Sequence, residues 1–274
     1  MQNHKKNNSN LPLVIIGLVL AIAVVGGWWL YSSSKAKPAP KSNTNITNKN
    51  PEDAAKAALA FYQSAPAGAQ PANMLGASTL PVTVEEFADF QCPTCATVHT
   101  KMKEINSLYS GRIKFIYRNF PLPMHKNAYD ASTAAEAAGL QQKFWAMQDQ
   151  LFSNQKAWSD STPAEARKLF EEYAGKIGLD TNKFQSDMMG LQTKKRVDDD
   201  LARGNALKIT GTPTVFVNGV RLAFEQMDVA AMRQIIDNEL AKASQVQPSQ
   251  PTTQTVNAAN QSANTSSGNS ANKQ

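Results

Sequence analysis

Both cysteines of the chain stand three positions apart, in Cys92-Pro93-Thr94-Cys95, and the 274 residues contain no other. That excludes a disulfide-stapled scaffold, and it excludes an all-cysteine zinc site, which needs four thiolates. The fold must rest on a hydrophobic core, and a chain of this length, 42% hydrophobic, can bury one. Before the pair, Leu80–Phe90 is rich in β-branched and aromatic residues, which predicts a strand. After it, Cys95, Val98, Met102, Ile105 and Tyr109 recur at helical spacing and predict an amphipathic helix. The pair therefore falls at a strand-to-helix junction. There Cys92 meets the unpartnered N–H groups and positive end of the helix dipole, which favour thiolate over thiol. Pro93 suits the first helical position, whose N–H has no partner anyway. Cys95, one turn in, points back to the core as the resolving thiol. A structural disulfide and a metal pair are the competing readings. A four-residue loop gains little closure entropy, which argues against a staple. His99 shares a helical face with Cys95, yet no fourth ligand suggests itself, so no metal is expected.

The formal charge of +6, from 28 Lys+Arg against 22 Asp+Glu, invites a search for polyanion binding. The excess lies in the flanks. Lys5, Lys6, Lys35, Lys37, Lys41, Lys49 and Lys273 leave 21 basic and 22 acidic residues in 51–245. A nearly neutral domain has no electrostatic footprint for a phosphate backbone, so no nucleic acid is expected as partner.

The flanks themselves are informative. After a short N-terminus (1–10), residues 11–31 form an uncharged apolar run closed by Trp28, Trp29 and Tyr31. At about 1.5 Å per residue it is long enough to cross a hydrocarbon core of about 30 Å. It exceeds the apolar region of an ordinary signal peptide and is followed by no clean cleavage site, which favours an uncleaved anchor. Lysines on both sides leave the local charge count favouring the opposite orientation. The chemistry of the cysteine pair places the domain outside the cytoplasm, and a cell-membrane, single-pass, periplasmic or extracytoplasmic arrangement is expected. Residues 32–75 read as a polar spacer able to hold a short helix at Pro51–Gln63, and 245–274 as a polar tail of disordered composition.

Between them, 76–244 shows a mixed α/β pattern. Arg112–Phe120 reads as a strand, Asn127–Ser153, Pro163–Ile177 and Thr181–Ala206 as helices, and Thr214–Val217 with Val220–Phe224 as a hairpin about Asn218-Gly219. Asp228–Ala243 closes the domain as a helix. Strand alternation puts Val82, Val84, Glu86, Ala88 and Phe90 on one face, so a carboxyl interrupts an apolar column beneath the cysteines. A buried carboxyl has a raised pKa and can exchange protons with a thiol; an exposed edge-strand glutamate, or a one-residue slip of register, is the competing reading. Gly211-Thr212-Pro213-Thr214 precedes the hairpin, and a proline opening a strand needs special geometry, which the sequence leaves open between cis and trans. His125 reads as a helix-entry or packing residue. Lys194-Lys195-Arg196 and Asp198-Asp199-Asp200 read as ion pairs on a helix surface. Phe144, Trp145, Met147, Leu151 and Phe152 read as helical core.

Three segments in this order, VEEFADFQCPTC (84–95), FPLPMHKNAYDASTAAEAAGLQQKFWAMQDQLFSNQ (120–155) and ITGTPTVFVNG (209–219), resemble the DsbA-like thiol:disulfide oxidoreductases of the thioredoxin superfamily. The resemblance runs from about Pro81 to Phe224. It implies an α/β thioredoxin fold with an inserted helical domain at about 124–207, here behind an N-terminal transmembrane anchor. It implies that Cys92, Cys95 and Glu86 are catalytic, that Thr212 and a cis Pro213 bind substrate, and that Pro93 and Thr94 tune the site. Where the DsbA pattern ends its dipeptide in histidine, this chain has Thr94, which implies a milder oxidant. The implied activity is that of a monomeric dithiol oxidase acting on cysteine-containing exported proteins. It would be re-oxidised by a membrane partner of the DsbB or vitamin K epoxide reductase kind, with no cofactor beyond the Cys92–Cys95 disulfide. The alternatives are a reductase or isomerase fed by a membrane reductase, and a redox-inactive or metal-holding envelope module.

Overall fold

The computed structural model describes residues 51–246; the anchor expected at 11–31, its flanks, and the tail beyond Val246 lie outside the described residues. Among the described residues, no helix is long and apolar enough to cross a membrane.

The chain opens with helix α1 (Pro51–Ser64) and a short strand β1 (Asn73–Leu75). Then come β2 (Val82–Ala88), α2 (Pro93–Leu108) and β3 (Ile113–Asn119), a β-α-β unit whose two strands pair in parallel. Six helices follow: α3 (Ala128–Leu140), α4 (Phe144–Ser153), α5 (Gln155–Trp158), α6 (Pro163–Lys176), α7 (Thr181–Met189) and α8 (Leu191–Ala206). The chain then returns as the hairpin β4 (Thr214–Val217) and β5 (Val220–Arg221), a 3-10 turn at Phe224–Met227, and α9 (Val229–Val246). The sheet order is β1-β3-β2-β4-β5, with every pair except β2–β3 antiparallel.

Alternation along β2 sorts its side chains between two cores. Val82, Val84 and Ala88 join α2, α9 and the helical insertion in the larger cluster, whereas Phe87 packs with Phe120, Leu207, Ile209 and Phe216 on the other side. The expected α2 stripe, Cys95, Val98, Met102, Ile105 and Tyr109, is buried throughout. So are Phe144, Met147, Leu151 and Phe152, with Trp145 packed against the same cluster.

Three sequence expectations are corrected. The helix expected over Asn127–Ser153 is two helices, because Gln142 turns left-handed (φ 61°) and the Lys143 N–H closes back onto Ala138 O at 2.8 Å. The helix expected over Thr181–Ala206 breaks at Gly190, which is extended (ψ 153°) and stands as N-cap of α8. Third, the sheet reaches back into the stretch read as spacer: β1 pairs Asn73 with Tyr117 and Leu75 with Phe115. The hairpin forms about Asn218 (φ 47°) and Gly219 (φ 80°), the positive values that an Asn-Gly turn supplies. Its second strand is only two residues long, because the Gln226 side chain caps the Ala223 N–H and turns the chain into the 3-10 segment.

Candidate active site

Cys92 is the N-cap residue of α2, and Pro93, Thr94 and Cys95 form its first turn. Both cysteines are free thiols, Cys95 completely buried and Cys92 nearly so. Their electrostatics diverge. The Cys92 thiol is held down at about 5, first by its hydrogen bond with the Cys95 side chain, then by the backbone of Cys95, the Thr212 side chain and the backbone of Thr94, against the opposing effect of burial. Burial, together with the neighbouring Cys92, pushes Cys95 well above the usual thiol value. One sulfur is thus poised as an anion and the other as a protonated thiol.

The second wall is the segment before β4. The Thr212–Pro213 peptide bond is cis, and the Cys92 thiol donates to Thr212 O at 3.4 Å. The Thr212 hydroxyl is buried without a hydrogen-bond partner among the described residues, and it favours the thiolate once Cys92 ionises. Glu86 lies on β2, in register with Tyr117 of β3 and Val215 of β4. Its carboxyl is buried, makes no side-chain hydrogen bond or ion pair among the described residues, and is pushed up to about 8 by desolvation. It is therefore a neutral acid at pH 7.

Several groups that sequence reasoning passed over hold this site in place. Gln155, from the helical insertion, donates to Phe90 O at 2.6 Å and Cys92 O at 2.9 Å. Gln91 links the same loop to Ser159 O and to the Asn127 N–H. Asp89, fully buried, accepts from the Gln91 and Leu122 amides and pairs with His125 Nδ1 at 2.6 Å. His125 is therefore anchored by Asp89 at the entry to the insertion, the helix-entry position expected of it. His99 is held by Asp149 at 2.9 Å and stacks on Phe152. Among the described residues, no group of three or more His, Cys, Asp or Glu stands ready for a metal.

The adjacent carboxylate, Glu85, faces the opposite core and anchors a buried ionic cluster. It accepts from Arg118 and Arg203 at 2.8–3.0 Å and from the Tyr62 hydroxyl at 2.6 Å. Burial pushes its carboxyl up, but the two guanidinium groups prevail and hold it low. Asp200 joins through Arg118 at 3.0 Å and takes the Ala69 N–H at 2.8 Å. This corrects the surface reading of the 194–200 charges. Lys195–Asp199 is such a surface pair, but Asp200 is fully buried and Arg196 pairs with buried Glu136. Nothing local in the sequence distinguishes Asp200 from its two neighbours.

A thiol pair on the first turn of the helix after a central parallel strand, faced by a cis proline, defines the site of a thioredoxin-fold protein. The chain matches the thioredoxin family model over residues 69–238, more than half its length, and belongs to that family. Over 176 residues it is 34% identical to a protein of Bacillus cereus named probable disulfide bond formation protein D, covering 61% of this chain and 78% of that one. Over 154 residues it is 35% identical to a protein of Mycolicibacterium gilvum named Na+/H+ antiporter NhaA 1, covering 54% of this chain. The chain spans about a quarter of the length of such antiporter relatives (24% for this one). Among solved structures, oxidised BdbD from Bacillus subtilis shares the fold at a TM-score of 0.56 and 23% identity, over 65% of this chain and 98% of that one.

Proposed function

We propose that this protein is a thiol:disulfide oxidoreductase, a dithiol oxidase that introduces disulfides into exported proteins. The observation that carries the reading is the asymmetry of the pair: Cys92, at the helix N-cap and 7% exposed, is held down at about 5, whereas Cys95 is pushed up and sealed. A stabilised Cys92 thiolate is a good leaving group and lowers the energy of the reduced protein, which makes its disulfide oxidising. A substrate thiolate bonds to the Cys92 sulfur, breaking the Cys92–Cys95 bond and leaving its electron pair on Cys95. The substrate's second thiolate then attacks its own sulfur in the mixed disulfide and releases Cys92. Two electrons pass from the substrate sulfurs to the pair, and a membrane re-oxidase of the DsbB or vitamin K epoxide reductase kind removes them. No dissolved cofactor takes part. In this reading Thr212 and Pro213 line the edge that receives the substrate, Pro93 and Thr94 tune the pair, and Glu86 supplies a proton to Cys95. Thr94 offers a backbone N–H in place of an imidazolium, which makes the protein a moderate oxidant.

The direction of exchange is supported by the Bacillus cereus relative, whose name assigns it to disulfide bond formation. The membrane tether and extracytoplasmic placement rest on the apolar run at 11–31. They also accord with the similar domain carried inside chains named as antiporters. Trapping the thiols in growing cells tests the direction. An oxidase keeps Cys92–Cys95 mostly oxidised at steady state, and a mostly reduced pair would overturn this reading in favour of a reductase or isomerase.

A further inference from the structure

Two buried residues, Glu86 and Tyr117, share one face of the sheet; the Tyr117 hydroxyl is sealed without a hydrogen-bond partner among the described residues, and the Glu86 carboxyl makes no side-chain hydrogen bond among them. Glu86 and Tyr117 are Cα partners across the parallel β2–β3 pair. Residues in register on neighbouring strands point to the same face, about 5 Å apart. The Tyr117 ring is wedged between Phe90 and Phe144, with centroids at 5.4 and 5.6 Å, so its hydroxyl is confined to the core. A buried hydroxyl without a partner is costly, and its persistence at this position calls for a state in which it is used.

We propose that Tyr117 is a positioning residue for proton exchange between Glu86 and Cys95, its hydroxyl donating to the Glu86 carboxylate that forms when the proton leaves. The inference rests on the oxidoreductase reading and assigns a part to a residue that reading leaves idle. When the Cys92–Cys95 bond breaks, the electron pair on Cys95 is buried and takes the Glu86 proton. A carboxylate is then left in an apolar core, where an O–H donor stabilises it. Exchange with solvent returns the proton, and the tyrosine passes no electrons. The other ionisable groups acting on the Tyr117 hydroxyl are Cys95 from α2, Asp89 at the end of β2 and Asp200 from α8. His99 of α2 is turned to Asp149, β4 brings Val215 and Val217 to this face, and α9 brings Met232 and Ile236. Tyr117 is thus the uncharged donor at hand for Glu86.

The test is the pH profile of peptide-dithiol oxidation by the full chain, corrected for the peptide's own thiolate fraction. In the wild type the rate falls on the alkaline side near pH 8, where Glu86 loses its proton. In Tyr117→Phe that limb moves up by about one pH unit, because the carboxylate has lost a donor. In a Glu86→Gln background, Tyr117→Phe produces no such displacement. A limb that stays put, or one displaced equally without Glu86, overturns the proposal; a purely structural role would lower the rate alike at every pH. If the wild type oxidises no peptide at any pH, the oxidase reading fails. Tyr117 is then judged by stability: the pH at which the Glu86-dependent loss of stability levels off must rise by about one unit in Tyr117→Phe, and an unchanged value overturns the assignment.

Discussion

At the scale of single residues, Cys92 and Glu86 pull the pH dependence of the reduced protein in opposite directions. Cys92 falls from 9.0 unfolded to about 5 folded, so between those values the unfolded chain binds the extra proton and stability rises with pH. Glu86 rises from 4.5 to about 8, so over that range the folded chain holds the extra proton and stability falls with pH. Asp200, raised from 3.8 to about 6 by burial, adds to the fall only below pH 6. Between pH 6 and 8 the first two effects offset each other. The reduced wild type should show a nearly level melting temperature there, Glu86→Gln a rising one and Cys92→Ser a falling one. Thermal unfolding at constant ionic strength reads all three, and parallel curves would refute the opposition. Over a wider range, from about pH 3 to 10, Cys92 alkylation by iodoacetamide should titrate with a midpoint near 5, whereas a thiol in an ordinary setting titrates near 9.

At the scale of elements, what was legible in the sequence is what repeats locally. The strand before the pair, the α2 stripe and the Asn-Gly hairpin all follow from spacing, and so does Glu86, since alternation places it among valines. What spans the chain was not legible. Glu85 looks like its neighbour until Arg118 and Arg203, from a second strand and a distant helix, close on it. The breaks at Gln142 and Gly190 interrupt stretches of unbroken helical character, and β1 is too short, at three residues, to show a period. Arg203→Ala is the sharpest probe of the hidden cluster. It strips two donors from Glu85, exposes the Pro66 carbonyl, and removes the cation stacked 4.7 Å over Tyr62. A loss of about 3–5 kcal/mol is expected from chemical denaturation, as for other buried ion pairs broken on one side. A loss below about 1 kcal/mol, the range of exposed pairs, would show the cluster to be hydrated.

At the scale of the whole molecule, the folded unit begins well before the first motif. Arg118 donates to Ala67 O and Ala69 O, Arg203 to Pro66 O, and Tyr62 of α1 packs against Phe216. A chain starting at Gly76, where motif matching would start the domain, loses those acceptors together with β1. It should unfold at a clearly lower temperature than one starting at Pro51, by several kcal/mol of lost partnering for buried guanidinium groups. Equal melting curves would make the 51–75 stretch dispensable. The Gln155 amide, gripping the carbonyls of Phe90 and Cys92, has a comparable consequence for engineering. The helical insertion is not an interchangeable cassette: grafting one from a relative onto this sheet also replaces the hand that holds the cysteine loop. A chimera built at that seam inherits its reactivity from both parents.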